Sequence, residues 1–172
     1  GGTKKNTSKH RKKPCYLRYF WGMKRTDIDD FMRVGGYEEA PCKQISEAEF
    51  LQRLRELFAR YFPVQWVEER LSLPADYLEF LSLLRGDLRR GDWAFLGDRS
   101  SVVSLTEGFM DIFIDDLYER REAGEAWESD TMWLCVGNWS DKHDWIICVD
   151  KLHPRYGRLI DAYDDHPFLN DD

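Results

Sequence analysis

The chain predicts an α+β fold, a largely antiparallel β-sheet packed by helices, and three observations carry that prediction. Residues 132–163 read strand, turn, strand, turn, strand: Met132-Trp133-Leu134-Cys135-Val136, then Trp145-Ile146-Ile147-Cys148-Val149, then Arg158-Leu159-Ile160-Asp161-Ala162-Tyr163. Short runs rich in β-branched and aromatic residues and bounded by turn formers are strand signals. Two earlier stretches carry apolar residues at three- and four-residue spacing behind capping residues, which is the helical period. Both central strands are apolar on nearly every residue, so both sheet faces need cover, and helices are what the sequence offers.

Residues 1–14 hold Lys4, Lys5, Lys9, Arg11, Lys12 and Lys13 with no acid and no apolar anchor, so they read as a basic flexible tail. Such a run suits nuclear targeting or contact with nucleic acid, and equally a solvated linker. Residues 15–45 form an extension expected to pack on the domain. Tyr16, Leu17, Tyr19, Phe20, Trp21 and Met23 are too dense an aromatic patch to leave exposed. The domain proper spans 46–172. Ser46 followed by Glu49 is a capping box, and Phe50, Leu54, Leu57, Phe58 and Tyr61 form one stripe over 46–62. Pro63 ends that helix, and a shorter amphipathic piece covers 64–71. A second helix is predicted over 74–85, with Pro74 in the first turn, Asp76 at the positive end and Gly86 as a left-handed stop.

Trp93-Ala94-Phe95-Leu96 and Val102-Val103-Ser104-Leu105 read as short strands, and Thr106 as the cap of a third helix carrying Phe109, Ile112, Phe113 and Leu117 inward. Pairing the two central strands about a turn between Asp141 and Lys142 sets Cys135 opposite Cys148, Gly137 opposite Ile146 and Trp133 opposite Asp150. A cross-strand disulfide is one outcome of that register. The four cysteines lack zinc-site spacing, and free thiols in a reducing compartment are the expectation.

Charge narrows the function classes. The chain carries −7 overall and +6 over residues 1–14, so the rest carries −13. An acidic body repels nucleic acid and anionic membrane and attracts basic partners. No apolar run approaches the ~20 residues that span a bilayer. No secretion signal is visible at the start, so the cytoplasm is the expected compartment, or the nucleus if the basic tail is a eukaryotic targeting signal. Phosphate-binding glycine loops and the Gly-x-Ser-x-Gly elbow are absent. No nucleophile, base and oxyanion set emerges, and no enzyme activity, cofactor or metal is assigned.

Acids interleaved with aromatics remain: Trp93, Trp127, Trp139 and Trp145 stand beside Asp and Glu. These tryptophans serve either a core or an interface, since large aromatics supply both. Aromatic anchors rimmed by charge are what protein interfaces use. The candidate partner-binding residues are Trp139, Asp141 and Asp144 at the hairpin turn, and Asp161, Asp164 and Asp165 at the last strand. Trp139 is the apolar anchor and the acids supply charge complementarity. The competing expectation is a metal-dependent hydrolase. It would draw on Asp141, His143, Asp144, Asp161, Asp164, Asp165 and His166, which are ligand types without ligand spacing.

At Leu73-Pro74-Ala75-Asp76-Tyr77-Leu78-Glu79-Phe80-Leu81, then Gly86, the sequence resembles the SUKH superfamily. Val67-Glu68-Glu69-Arg70-Leu71 fits the helix before that motif, and Trp93-Ala94-Phe95-Leu96-Gly97 the strand after it. Val136-Gly137-Asn138, Asp144-Trp145-Ile146, Val149-Asp150, Gly157-Arg158-Leu159-Ile160 and the Asp164…Pro167 step fit its meander. The superfamily includes the yeast glucan-synthesis regulator of the Smi/Knr type and many bacterial immunity proteins. The match covers residues 64–168 and rests on the order and spacing of short motifs. The resemblance implies a mixed sheet with helices against it and a non-enzymatic, partner-binding role: toxin neutralisation in bacteria, or an interaction hub in cell-wall signalling in fungi.

Overall fold

The computed structural model describes residues 22–122, 131–139 and 143–163. In order these form α1 (Arg25–Gly35), β1 (Glu38–Pro41), α2 (Glu47–Phe58), α3 (Val64–Arg70), α4 (Ala75–Leu83), β2 (Gly86–Arg90), β3 (Trp93–Phe95), α5 (Arg99–Glu122), β4 (Trp133–Trp139), β5 (His143–Cys148) and β6 (Leu159–Tyr163). The six strands form one sheet in sequence order, and every neighbouring pair is antiparallel. The fold is therefore α+β, with a meander longer than the three strands legible at its C-terminal end.

The two faces of the sheet differ. Ala94, Leu96, Trp133, Cys135, Ile146, Cys148, Ile160 and Ala162 are buried with Phe50, Leu54, Leu57 and Phe58 of α2 and Val102, Phe109 and Met110 of α5. That is the main core. Ser46 caps α2 as expected, its Oγ accepting from Glu49 N at 3.0 Å. On the opposite face, α1 lies over β1–β3, where Ile28, Phe80, Leu84 and Leu88 form a second, smaller core. Arg25 pins α1 there: its guanidinium donates to Glu39 at 2.5 Å and to the Leu83 carbonyl at 2.9 Å, while Arg85 N donates to the same carboxylate. The described part of the N-terminal extension thus contributes a helix and an edge strand.

Five sequence expectations change, the smallest being Ile112, expected inward and found exposed. Residues 102–105 are not a strand but lie inside α5, because helix entry occurs earlier. Asp98 Oδ1 accepts from Ser100 N, Val102 N donates to Asp98 O, and Gln44 accepts from Arg99 N. Thr106 is consequently not a cap; it is buried in α5, and its hydroxyl accepts from Cys135 N at 2.9 Å, tying helix to sheet. Gly86 is not a left-handed helix stop. Leu84 is already extended, and Gly86 opens β2 where a Cβ would sit 1.7 Å from the Ala40 carbonyl oxygen. The hairpin register also shifts: Cys135 faces Ile146, Trp133 faces Cys148 and Gly137 faces Trp145. An extra residue in β4 between Cys135 and Gly137 makes a bulge, and the Val136 carbonyl there accepts from Leu96 N. Cys135 and Cys148 are buried free thiols.

Candidate functional site

The site grows out of strand alternation. Successive side chains on a strand point to opposite faces. Since Ala94 and Ile146 face the main core, Trp93, Phe95 and Trp145 face the other way, and the register adds Gly137 and Trp139 to them. Rings from β3, β4 and β5 therefore meet on one surface. Trp139 stacks on Trp93 with centroids 5.1 Å apart and planes at 23°. Trp93 meets Trp145 at 5.3 Å, and Trp145 stacks on Phe95 at 5.0 Å and 22°. Phe95 continues to Tyr37 at 5.9 Å, and Tyr37 stacks on Phe31 of α1 at 5.0 Å. Six rings form an unbroken ridge from the end of β4 to α1.

Gly137 makes the ridge continuous. It lies between Phe95 and Trp145 across three adjacent strands. With no side chain there, the Trp145 ring crosses β4 to reach Phe95; a Cβ on Gly137 would sit 2.5 Å from Trp145 Cε3 and 2.7 Å from the Ala94 carbonyl oxygen. Each aromatic pair adds about 0.5–1.5 kcal/mol beyond area burial. Both ends of the ridge are exposed: Trp139 keeps 37% of its surface accessible and Phe31 39%. Between them Trp93, Phe95 and Trp145 are half-buried.

Charge around the ridge is unequal. Arg90 is the cross-strand partner of Trp93, and its guanidinium turns toward α1, 5.3 Å from the Tyr37 centroid and donating to the Gly35 carbonyl at 3.0 Å. At the tryptophan end, Asp161 is the cross-strand partner of Trp145 on the same face, and exposed Asp92 immediately precedes Trp93. Asp144 is placed differently. It pairs with Asn138 and Ala162 and shares their face, and Cys135 Sγ lies 3.9 Å from its carboxylate. Of the six residues expected to bind a partner, the structure brings Trp139 and Asp161 onto one face and sets Asp144 on the other. Asp141, Asp164 and Asp165 lie outside the described residues, as do Trp127 and His166.

Phe95, Tyr37 and Phe31 belong to the ridge and escaped sequence reading. The signal for Phe95 was its two-residue spacing from Trp93. Phe31 enters on α1 and Tyr37 on the link between α1 and β1, segments whose sequences carry little strand or core character.

Other chemistry is sparse. Burial, together with nearby Asp144, pushes the Cys135 thiol well above its ordinary value, so it is held protonated and unreactive. Burial likewise raises Tyr77. Among the described residues no group of three or more His, Cys, Asp or Glu converges as metal ligands would, and no helix is long and apolar enough to cross a membrane. His153, Pro154, Arg155 and Arg158 line a separate cavity of about 440 Å³ beside the β5–β6 connection. A smaller apolar cavity of about 90 Å³ sits under α1, between Ile28, Phe31, Leu88 and Phe95. Compared with known proteins, the chain matches no family model, no curated protein and no solved structure.

Proposed function

We propose that the chain is a non-enzymatic protein-binding module of the SUKH, Smi/Knr-like type, acting as an immunity protein or a regulatory interaction domain. The observation that carries this reading is the ridge: six rings in an unbroken run, four of them on one sheet face, with both ends exposed and Asp161 and Asp92 near the tryptophans. A ring stack built only for stability has no need to keep its terminal rings in water. Rigid aromatics with carboxylates at their rim are the usual composition of a binding patch, and tryptophan is the residue most enriched among hot spots. Those motifs of the resemblance that lie among the described residues map to α3, α4, β2, β3 and β4–β6 and the turns between them.

The experiment is a selection of binders to the full chain from displayed peptides of defined sequence. Recovered binders are counter-screened against Trp93→Ala and Trp139→Ala. The proposal expects the recovered binders to lose affinity for both variants. Binders that recognise both variants as well as the native chain would move the docking surface elsewhere. A selection returning no binders would remove the reading.

A further inference from the structure

We infer that the Trp139 end of the ridge docks an arginine-bearing basic segment of a partner protein. This rests on reading the ridge as a docking surface and adds the chemistry of what is docked. The molecule already contains the recognition unit in internal form. Arg70 places its guanidinium 4.6 Å from the Trp66 ring centroid while donating to Asp150 at 3.1 Å, so one cation is held by an indole and a carboxylate together. Arg90 does the same over Tyr37, with a carbonyl as its acceptor.

The exposed end of the ridge presents a stacked indole with acids near it in register, and Arg90, opposite Trp93, turns its guanidinium away to Tyr37. Trp139 is near-parallel to Trp93 and 37% exposed, and Asp92 and Asp161 flank the tryptophans on the turn and on β6. Guanidinium is planar, weakly hydrated and able to stack on a ring while donating to a carboxylate; ammonium is a compact, strongly hydrated point charge and does this less well. Beyond residue 14 the chain carries −13, so a basic segment is also drawn to it at long range. An acidic or nucleic-acid partner meets the opposite field.

The full chain is titrated by calorimetry with four synthetic peptides of matched length: arginine-rich, lysine-rich, glutamate-rich and uncharged proline-rich. The arginine peptide is expected to bind tightest and the lysine peptide more weakly. Trp139→Ala, which leaves net charge untouched, should weaken the arginine peptide about 3- to 30-fold. Trp139→Phe should fall between, and Glu68→Gln, an exposed acid on α3, should change nothing. Far-UV circular dichroism establishes that each variant is folded. Should Trp139→Ala and Trp139→Phe bind the arginine peptide as the native chain does, diffuse charge holds it and the inference is overturned. Trp139-dependent binding of the uncharged peptide with none of the arginine peptide would overturn the choice of arginine and leave the docking surface standing. Binding of no peptide in a Trp139-dependent way overturns the inference and counts against the docking surface as well.

Discussion

Gly137→Ala tests how the ridge is built. The added Cβ would lie 2.5 Å from Trp145 Cε3, 3.2 Å from Cζ3 and 2.7 Å from the Ala94 carbonyl oxygen. The carbonyl belongs to the sheet and cannot yield, so the indole must. Moving Trp145 weakens its stacking on Phe95 and its contact with Trp93. Two aromatic pairs at about 0.5–1.5 kcal/mol each, with overpacking strain of about 1–3 kcal/mol, give a gross loss of about 2–6 kcal/mol. Removing a glycine from the unfolded chain returns about 0.4–1 kcal/mol. A net destabilisation of about 1–5 kcal/mol follows, and at about 2–4 °C per kcal/mol for a chain of this size the melting temperature should fall by about 2–20 °C. Thermal melts followed by near-UV circular dichroism read both effects, since stacked indoles dominate that spectrum. A variant with native melting temperature and native near-UV signal would refute the crossing of Trp145 over β4.

Other expectations concern the supports of the fold. Asp150 is fully buried and accepts from Thr131 Oγ1 at 2.6 Å, Arg70 at 3.1 Å and Leu152 N at 2.9 Å. Asp150→Ala strands those donors and should cost about 3–5 kcal/mol in urea denaturation. Glu39 is held below the ordinary glutamate range, first by the hydrogen bond from Arg25 and also by the Arg85 amide, against the opposing effect of burial. A depressed carboxylate stabilises the fold above its unfolded value near 4.3 and loses that contribution as pH falls through its folded value. Stability profiles should therefore drop less steeply below about pH 4.3 in Glu39→Gln than in the native chain. Tyr61 is pushed up to about 12 by burial and by its hydrogen bond to Asp111. Its neutral form is the one the fold favours, so this contribution is whole below pH ~10 and lost as pH rises toward 12. Tyr61→Phe should flatten the alkaline limb of the stability profile.

The parts of the fold that could be read in advance are those where local pattern and tertiary role agree. The strands at 133–139 and 143–148 announce themselves because their inner stretches, 133–135 and 146–148, are fully buried and apolar. Their register is misread twice over: next to the turn the pairing already runs one residue off, with Gly137 opposite Trp145, and a bulge beside Val136 adds a second residue that no local signal marks. Val102-Val103-Ser104-Leu105 has strand composition, yet Asp98 and Gln44 start a helix ahead of it, and packing against α2 and β4 decides the outcome. β1 and β2 hide for the opposite reason: Glu38-Glu39-Ala40-Pro41 and Gly86-Asp87-Leu88-Arg89-Arg90 are short and charged, as strands at or near a sheet edge often are. For the site, Trp139 and Asp161 are legible as members of an acidic, aromatic surface. That Asp144 turns to the other face depends on register, and that Phe95, Tyr37 and Phe31 complete the ridge depends on how α1 crosses β1–β3.

Whether Trp139 serves recognition more than folding, as proposed, is tested directly by one paired measurement. For Trp139→Ala, unfolding free energy in urea and affinity for a binder selected on the native chain are determined on the same preparation. A ring that keeps 37% of its surface in water and stacks on Trp93 should cost about 1–2 kcal/mol of stability when removed. As a hot-spot anchor it should cost about tenfold or more in affinity. Unchanged affinity beside a stability loss of several kcal/mol would make the ring a structural element and contradict the claim.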